Sequence, residues 1–212
     1  MFYFLFLLLN IHCQQRVNIT RISPSVETTS SFVDAVRNSS KKYPKGQYSD
    51  FIDSYSNQYA YNSEGASKIV NMLSQSYFTV AGESCGLPPM QFNGRCFGCV
   101  GNSFDSLGLW TDAMDGPDRN AAKSVAQVGF NDALKAGFLD ITAKFPSCGP
   151  NSHPLNPAPP PGSVIVYDHG TYGHITVMKN NTVACADNCT PLEDTLAGSF
   201  TCLKVFMLVK KI

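Results

Sequence analysis

Apolar residues recur every third or fourth position through the N-terminal half of the chain and every second position near its C-terminus. Three groups have helical spacing: Phe32, Val33 and Val36; Phe51, Ile52, Tyr55 and Tyr59; and Ile69, Val70, Leu73 and Tyr77. Lys41-Lys42-Tyr43-Pro44-Lys45-Gly46 separates the first two and reads as a turn with a solvated lysine face. Phe97, Val100, Phe104 and Leu107 predict a helix that opens at Cys96 and stops at Gly108. Val125, Val128 and Leu134 predict another from Asn120 to Ala136, ended by Gly137. The prolines between Pro146 and Pro161 exclude a helix there and suggest a loop over the surface. Beyond them Val164–Tyr167 reads as a buried strand and Gly173–Met178 as its neighbour, joined by the tight Asp168–Tyr172 connection. Thr182–Ala186 extends again and Phe200–Val209 closes the series. Helices followed by a meander of strands predict an α+β fold.

The N-terminus modifies this picture. Phe2–Leu9 is apolar but shorter than the roughly 17–25 residues a spanning helix needs, so it reads as the core of a secretory signal peptide covering residues 1–13. Gln14–Ser31 is polar and without periodicity, a flexible lead-in. Residues 14–80 therefore form a lead-in and N-terminal helical segment, and residues 81–212 the main domain. The helical segment either packs on the core or is a pro-segment covering a cleft; no obvious processing site separates it, which favours packing. The expectation is a secreted, extracellular monomer with no stable membrane insertion once the signal is removed.

Composition narrows the function. Of 212 residues 43% are hydrophobic and 15% charged, which suits a folded core. Sixteen basic residues balance 16 acidic ones, whereas a nucleic-acid binder needs a basic surface to displace counterions. The cysteines are Cys13, Cys85, Cys96, Cys99, Cys148, Cys185, Cys189 and Cys202. Losing Cys13 with the signal leaves an odd number, which in an oxidising compartment fits three disulfides and one free thiol. Sequons at Asn18, Asn38, Asn180 and Asn188 suit a eukaryotic secretory route.

The candidate chemistry centres on Cys96, which stands where the irregular Cys85–Gly94 loop becomes a helix. Unpaired N–H groups and the macrodipole at a helix start favour an anion and lower a thiol's pKa, so Cys96 is expected to be partly thiolate near neutral pH. Such a nucleophile needs a base. His12 lies in the signal, His153 in the proline-rich loop and His169 in a connection at the rim. His174 begins a strand, alternates with Thr176, and is expected to face Cys96 across a helix–sheet interface.

Gly94-Arg95-Cys96 opening a helix, followed by Pro161-Gly162-Ser163-Val164-Ile165-Val166-Tyr167 and Tyr172-Gly173-His174-Ile175-Thr176-Val177, resembles the CHAP family of cysteine, histidine-dependent amidohydrolases and peptidases. The similarity spans Gly82 to Asp187. The resemblance implies a papain-like fold, with the nucleophile helix packed on a small antiparallel sheet. It also implies cleavage of amide bonds in bacterial peptidoglycan, at the stem peptide or cross-bridge, without a cofactor. By the same match Cys96 is nucleophile, His174 general base and Asp187 the orienting residue, with Asn188 as its substitute. The chain departs from the family in its dense cysteine framework. Cys99 is expected to join Cys85 or another partner, and Cys185 and Cys189 to fix the segment bearing Asp187; with Cys96 free, six cysteines allow 15 connectivities.

Two other classes compete. Cys96-Phe97-Gly98-Cys99 is a C-x-x-C at a helix start, as in thiol–disulfide oxidoreductases, although a Pro-Pro loop rather than a central strand precedes it. A non-catalytic secreted binding module with the same fold would also suit the disulfides and sequons. Zinc is disfavoured because no second cysteine pair has comparable spacing.

Overall fold

The computed structural model describes residues 46–75, 95–110, 112–119, 121–146, 148, 157–192 and 200–212. They fall within one compact unit, Ser39–Ile212. In chain order the helices and strands are α1 (Gly46–Ile52), β1 (Tyr59–Tyr61), α2 (Ser63–Leu73), α3 (Cys96–Ser106), α4 (Phe130–Lys135), β2 (Phe138–Asp140), β3 (Val164–Asp168), β4 (His174–Met178), β5 (Val183–Cys185), β6 (Cys189–Pro191) and β7 (Thr201–Lys211). Short 3-10 turns occupy Asp53–Tyr55, Asp112–Met114, Ala122–Gln127 and Thr142–Lys144. The strands pair antiparallel in the order β1-β7-β3-β4-β5-β6, and β2 also pairs with β7. This is the α+β class. Among the described residues no helix is long and apolar enough to cross a membrane.

Both faces of the sheet are covered, which is why β3 and β7 read as nearly continuous apolar runs. Val164, Val166, Ile175, Val177, Phe206 and Leu208 share one core with Ile69 and Leu73 of α2 and with Phe97, Val100 and Phe104 of α3. Ile165, Tyr167, Met178, Val205 and Met207 point the other way, into a core with Phe51, Ile52, Leu139 and Phe145. Alternation along each strand thus feeds two layers. In α3 every residue from Phe97 to Phe104 is buried, and each large apolar side chain contributes about 1.5–3 kcal/mol. The helix ends where Gly108 takes a positive φ of 65°.

Several local expectations change. The Phe51 group ends its helix early: α1 stops at Ile52, and Tyr59 belongs to β1, paired with Lys211 at the end of β7. The predicted Asn120–Ala136 helix divides into the Ala122–Gln127 turn and α4, with Val128 and Gly129 extended between them. Gly129 and the β-branched Val125 and Val128 have low helix propensity. The break lets Val125 and Ala133 reach the same core. Strands β2 and β6 are additions to the sequence reading. Phe32, Val33, Val36, Tyr77 and the Cys85–Gly94 loop lie outside the described residues.

Two disulfides join Cys148 to Cys202 and Cys185 to Cys189. Cys99 is also disulfide-bonded, to a partner outside the described residues. Cys96 is a free thiol.

Candidate active site

The half-buried Cys96 is the first residue of α3, and a short neighbouring strand makes room for it. Three-residue β5 pairs with only Val177 and Met178, so among the described residues the outer edge of β4 from His174 to Thr176 has no strand partner on that side. The N-terminus of α3 reaches this edge, and the Cys96 sulfur accepts the backbone N–H of Ile175. The N–H groups of Phe97 and of Cys96 itself also point at the sulfur. The helix start therefore supplies the donors expected from the sequence.

Asp187 reaches the same place from the β5–β6 turn. The turn follows directly on the Val177–Cys185 pair that ends the β4–β5 ladder. The turn is closed by the Cys185–Cys189 disulfide and by the Ala186 N–H donating to the Asn188 carbonyl at 2.8 Å. Its Cys189 sulfur sits 3.5 Å from the Leu73 carbonyl at the end of α2. The Asp187 carboxylate accepts an ion pair from the Arg95 guanidinium at 2.8 Å; Asp187 is 18% exposed and Arg95 66%. Its charge acts on both Cys96 and His174. Asn188 is exposed.

His174 lies partly buried opposite Tyr167 of β3. Its ring stacks 6.1 Å from the Tyr167 ring and meets Phe200 edge-on at 5.3 Å. The other side of this aromatic group carries the exposed His169, stacked 4.0 Å from Phe200. Here the structure corrects the sequence reading. Ile175 and Val177 face α3, whereas His174 shares the Tyr167 face, because adjacent strand residues point to opposite sides. His174 therefore does not face Cys96 across the helix–sheet interface. Among the described residues no hydrogen bond joins the imidazole to the Cys96 thiol or to Asp187. His153 lies outside the described residues.

Burial decides the charge states. It pushes the Cys96 thiol above its ordinary pKa of 9.0; the three N–H groups oppose this and Asp187 adds to it. Cys96 thus rests as a thiol, contrary to the thiolate expected at a helix start, because desolvation outweighs the amide donors. Burial also lowers His174 from 6.5 to about 4; Asp187 opposes that shift and His169 reinforces it. The resting pair is neutral thiol and neutral imidazole.

Cys96 and Cys99 are not bonded to each other, since Cys96 is free and Cys99 is committed elsewhere. Arg95 has no place in the sequence reading as a site residue; its partner lies 92 positions away, and no local pattern signals the pairing. Among the described residues no three His, Cys, Asp or Glu side chains converge as a metal-binding group. No family model, curated protein or solved structure matches this chain.

Proposed function

We propose that this chain is a secreted, papain-like cysteine hydrolase that cleaves amide or peptide bonds in bacterial peptidoglycan. The observation that carries the reading is a free, half-buried thiol at a helix start whose sulfur meets the N–H of the residue following a partly buried histidine, with Asp187 acting on both groups. Apo sites commonly leave catalytic hydrogen bonds unmade until substrate arrives. On binding, the His174 imidazole closes on Cys96 and takes the thiol proton as the sulfur attacks the carbonyl carbon. The carbon–sulfur bond forms, and the Cys96 N–H holds the developing oxyanion. Imidazolium then protonates the nitrogen, the carbon–nitrogen bond breaks and the amine leaves. Water, deprotonated by His174, hydrolyses the thioester and restores the thiol.

The stem peptide or cross-bridge supplies the amide. Mass spectrometry of fragments from purified peptidoglycans of several chemotypes identifies the bond; fragments made by the wild type and absent with Cys96→Ala support the reading, and fragments made equally by both contradict it.

The separation of His174 from Cys96 favours a second reading, a non-catalytic secreted binding module with the same fold. Retention of the protein on insoluble peptidoglycan, with no new fragments from any chemotype, selects it.

A further inference from the structure

We propose that Phe200 is a positioning residue for His174, its ring closing an aromatic cage that fixes the imidazole and shields it from water. This rests on the hydrolase reading, in which His174 is the base. Three rings are in mutual contact: Tyr167 lies 6.1 Å from His174, His174 lies 5.3 Å from Phe200, and Tyr167 lies 5.8 Å from Phe200. The imidazole is one corner of this triangle, stacked on the tyrosine and met edge-on by the phenylalanine. Pairing of Asp168 with Thr201 ends the β3–β7 ladder, and the next residue of each segment, His169 and Phe200, continues it as a ring stack at 4.0 Å. Phe200 thus touches both histidines, the exposed His169 and the partly buried His174, and stands between the outer imidazole and the inner one. Tyr167 is fully buried and Phe200 half-buried, so the phenylalanine is the cage wall that borders solvent. Burial is the main influence on the charge of His174, which gives the ring that supplies it a direct hold on the base. The ionisable groups at this end of the sheet among the described residues are Tyr167 and Asp168 of β3, His169 of the β3–β4 connection, Lys123 of the Ala122–Gln127 turn, Asp187 of the β5–β6 turn, and Arg95 and Cys96 at the start of α3. Lys123 faces Asp168 at 3.7 Å and Arg95 is paired with Asp187. Phe200 carries no ionisable group, so replacing it changes the hydration of the imidazole without removing a charge.

The test follows the His174 titration through its imidazole proton and carbon resonances in full-length protein carrying Cys96→Ala, with His174→Gln assigning the signal. Phe200→Ala should raise the midpoint by about one pH unit, toward the ordinary 6.5, because water then reaches the imidazole. Phe200→Leu keeps apolar bulk and should raise it by about half a unit. Phe200→Tyr keeps the ring and should leave it at the parent value. In a His169→Gln background the rise should persist. If the alanine variant does not fold, the leucine variant decides. A midpoint unmoved in the folded variants, a rise as large with tyrosine, or a rise abolished by His169→Gln overturns the proposal; the last would mean that the outer imidazole's charge is what changes, and not the shielding by the ring. No turnover is needed for this measurement. A failed titration test leaves the comparison of wild type with Cys96→Ala on peptidoglycan untouched, and a failed hydrolase reading leaves the titration interpretable.

Discussion

The sulfur of Cys96 accepts the backbone N–H of Ile175, the residue that follows His174 in β4. The bond exists because β5 is too short to cover that edge of β4, and it ties α3 to the strand bearing the candidate base. It also lends the sulfur some stabilisation as an anion, yet less than burial removes.

The resting thiol should therefore be sluggish. Iodoacetamide should modify Cys96 slowly at pH 7 and faster as pH rises, with a midpoint above 9.0. Peptide mapping of the alkylated protein over a pH series measures this. A rate already at its plateau near pH 6 would mean that a thiolate–imidazolium pair is present at rest.

His174 should make stability depend on pH. Its folded pKa of about 4 lies below the ordinary 6.5, so as pH falls the unfolded chain binds the proton first. The stabilisation is complete above pH 6.5 and is lost as pH falls through 4, with an upper limit of about 3 kcal/mol. Denaturant titrations between pH 7 and 4 should show a steeper loss for the wild type than for His174→Gln. Parallel curves would place the imidazole in a more solvated setting.

What the sequence disclosed, and what it did not, follows from the range of the interactions. The spacing of Phe97, Val100 and Phe104 marks α3 because one buried face decides that helix, and the run Val164–Tyr167 marks β3 because both of its faces are buried. Cys96 is free, as expected of the thiol left over once Cys13 is counted out, whereas the bond between Cys185 and Cys189 is one of the 15 connectivities that the sequence leaves open. Tyr59–Tyr61 and Cys189–Pro191 escape notice because each strand has only three residues and is defined by its pairing partner. The Arg95–Asp187 pair and the exposure of the β4 edge depend on register between distant segments. The thiol's charge is not legible for a related reason: a helix start is visible locally, whereas its burial is a property of the whole fold.

The two described disulfides should separate stability from function. Cys148–Cys202 closes a loop with a sequence separation of 54 and Cys185–Cys189 one of 4, so chain entropy assigns about 4 kcal/mol to the former and about 2 kcal/mol to the latter. Replacing the first pair with serine should lower the melting temperature more. Replacing the second should cost more peptidoglycan cleavage at a temperature where both variants are folded, because it frees the turn bearing Asp187. The opposite order in either assay would contradict the role given to that turn.

Gly173 should tolerate no side chain. It has a φ of +74°, and a Cβ there would lie 2.6 Å from the Lys123 Cβ and 2.7 Å from the Tyr167 carbonyl oxygen. Gly173→Ala should cost about 3 kcal/mol, combining left-handed strain with backbone overlap just before His174. Gly170 of the same connection has a φ of +57° and open space around its Cβ position, so Gly170→Ala should cost about 1 kcal/mol. Equal costs from thermal or chemical unfolding would show that the connection shifts freely.

The claim at the centre of this account is that Cys96 forms a covalent bond to the substrate's acyl group. Acid-quenching the protein during digestion of purified peptidoglycan and mapping it by mass spectrometry tests that claim directly. The account predicts an acyl adduct on the peptide containing Cys96, with neither adduct nor released fragments from a folded Cys96→Ala variant; fragment release by that variant at the wild-type rate would contradict it.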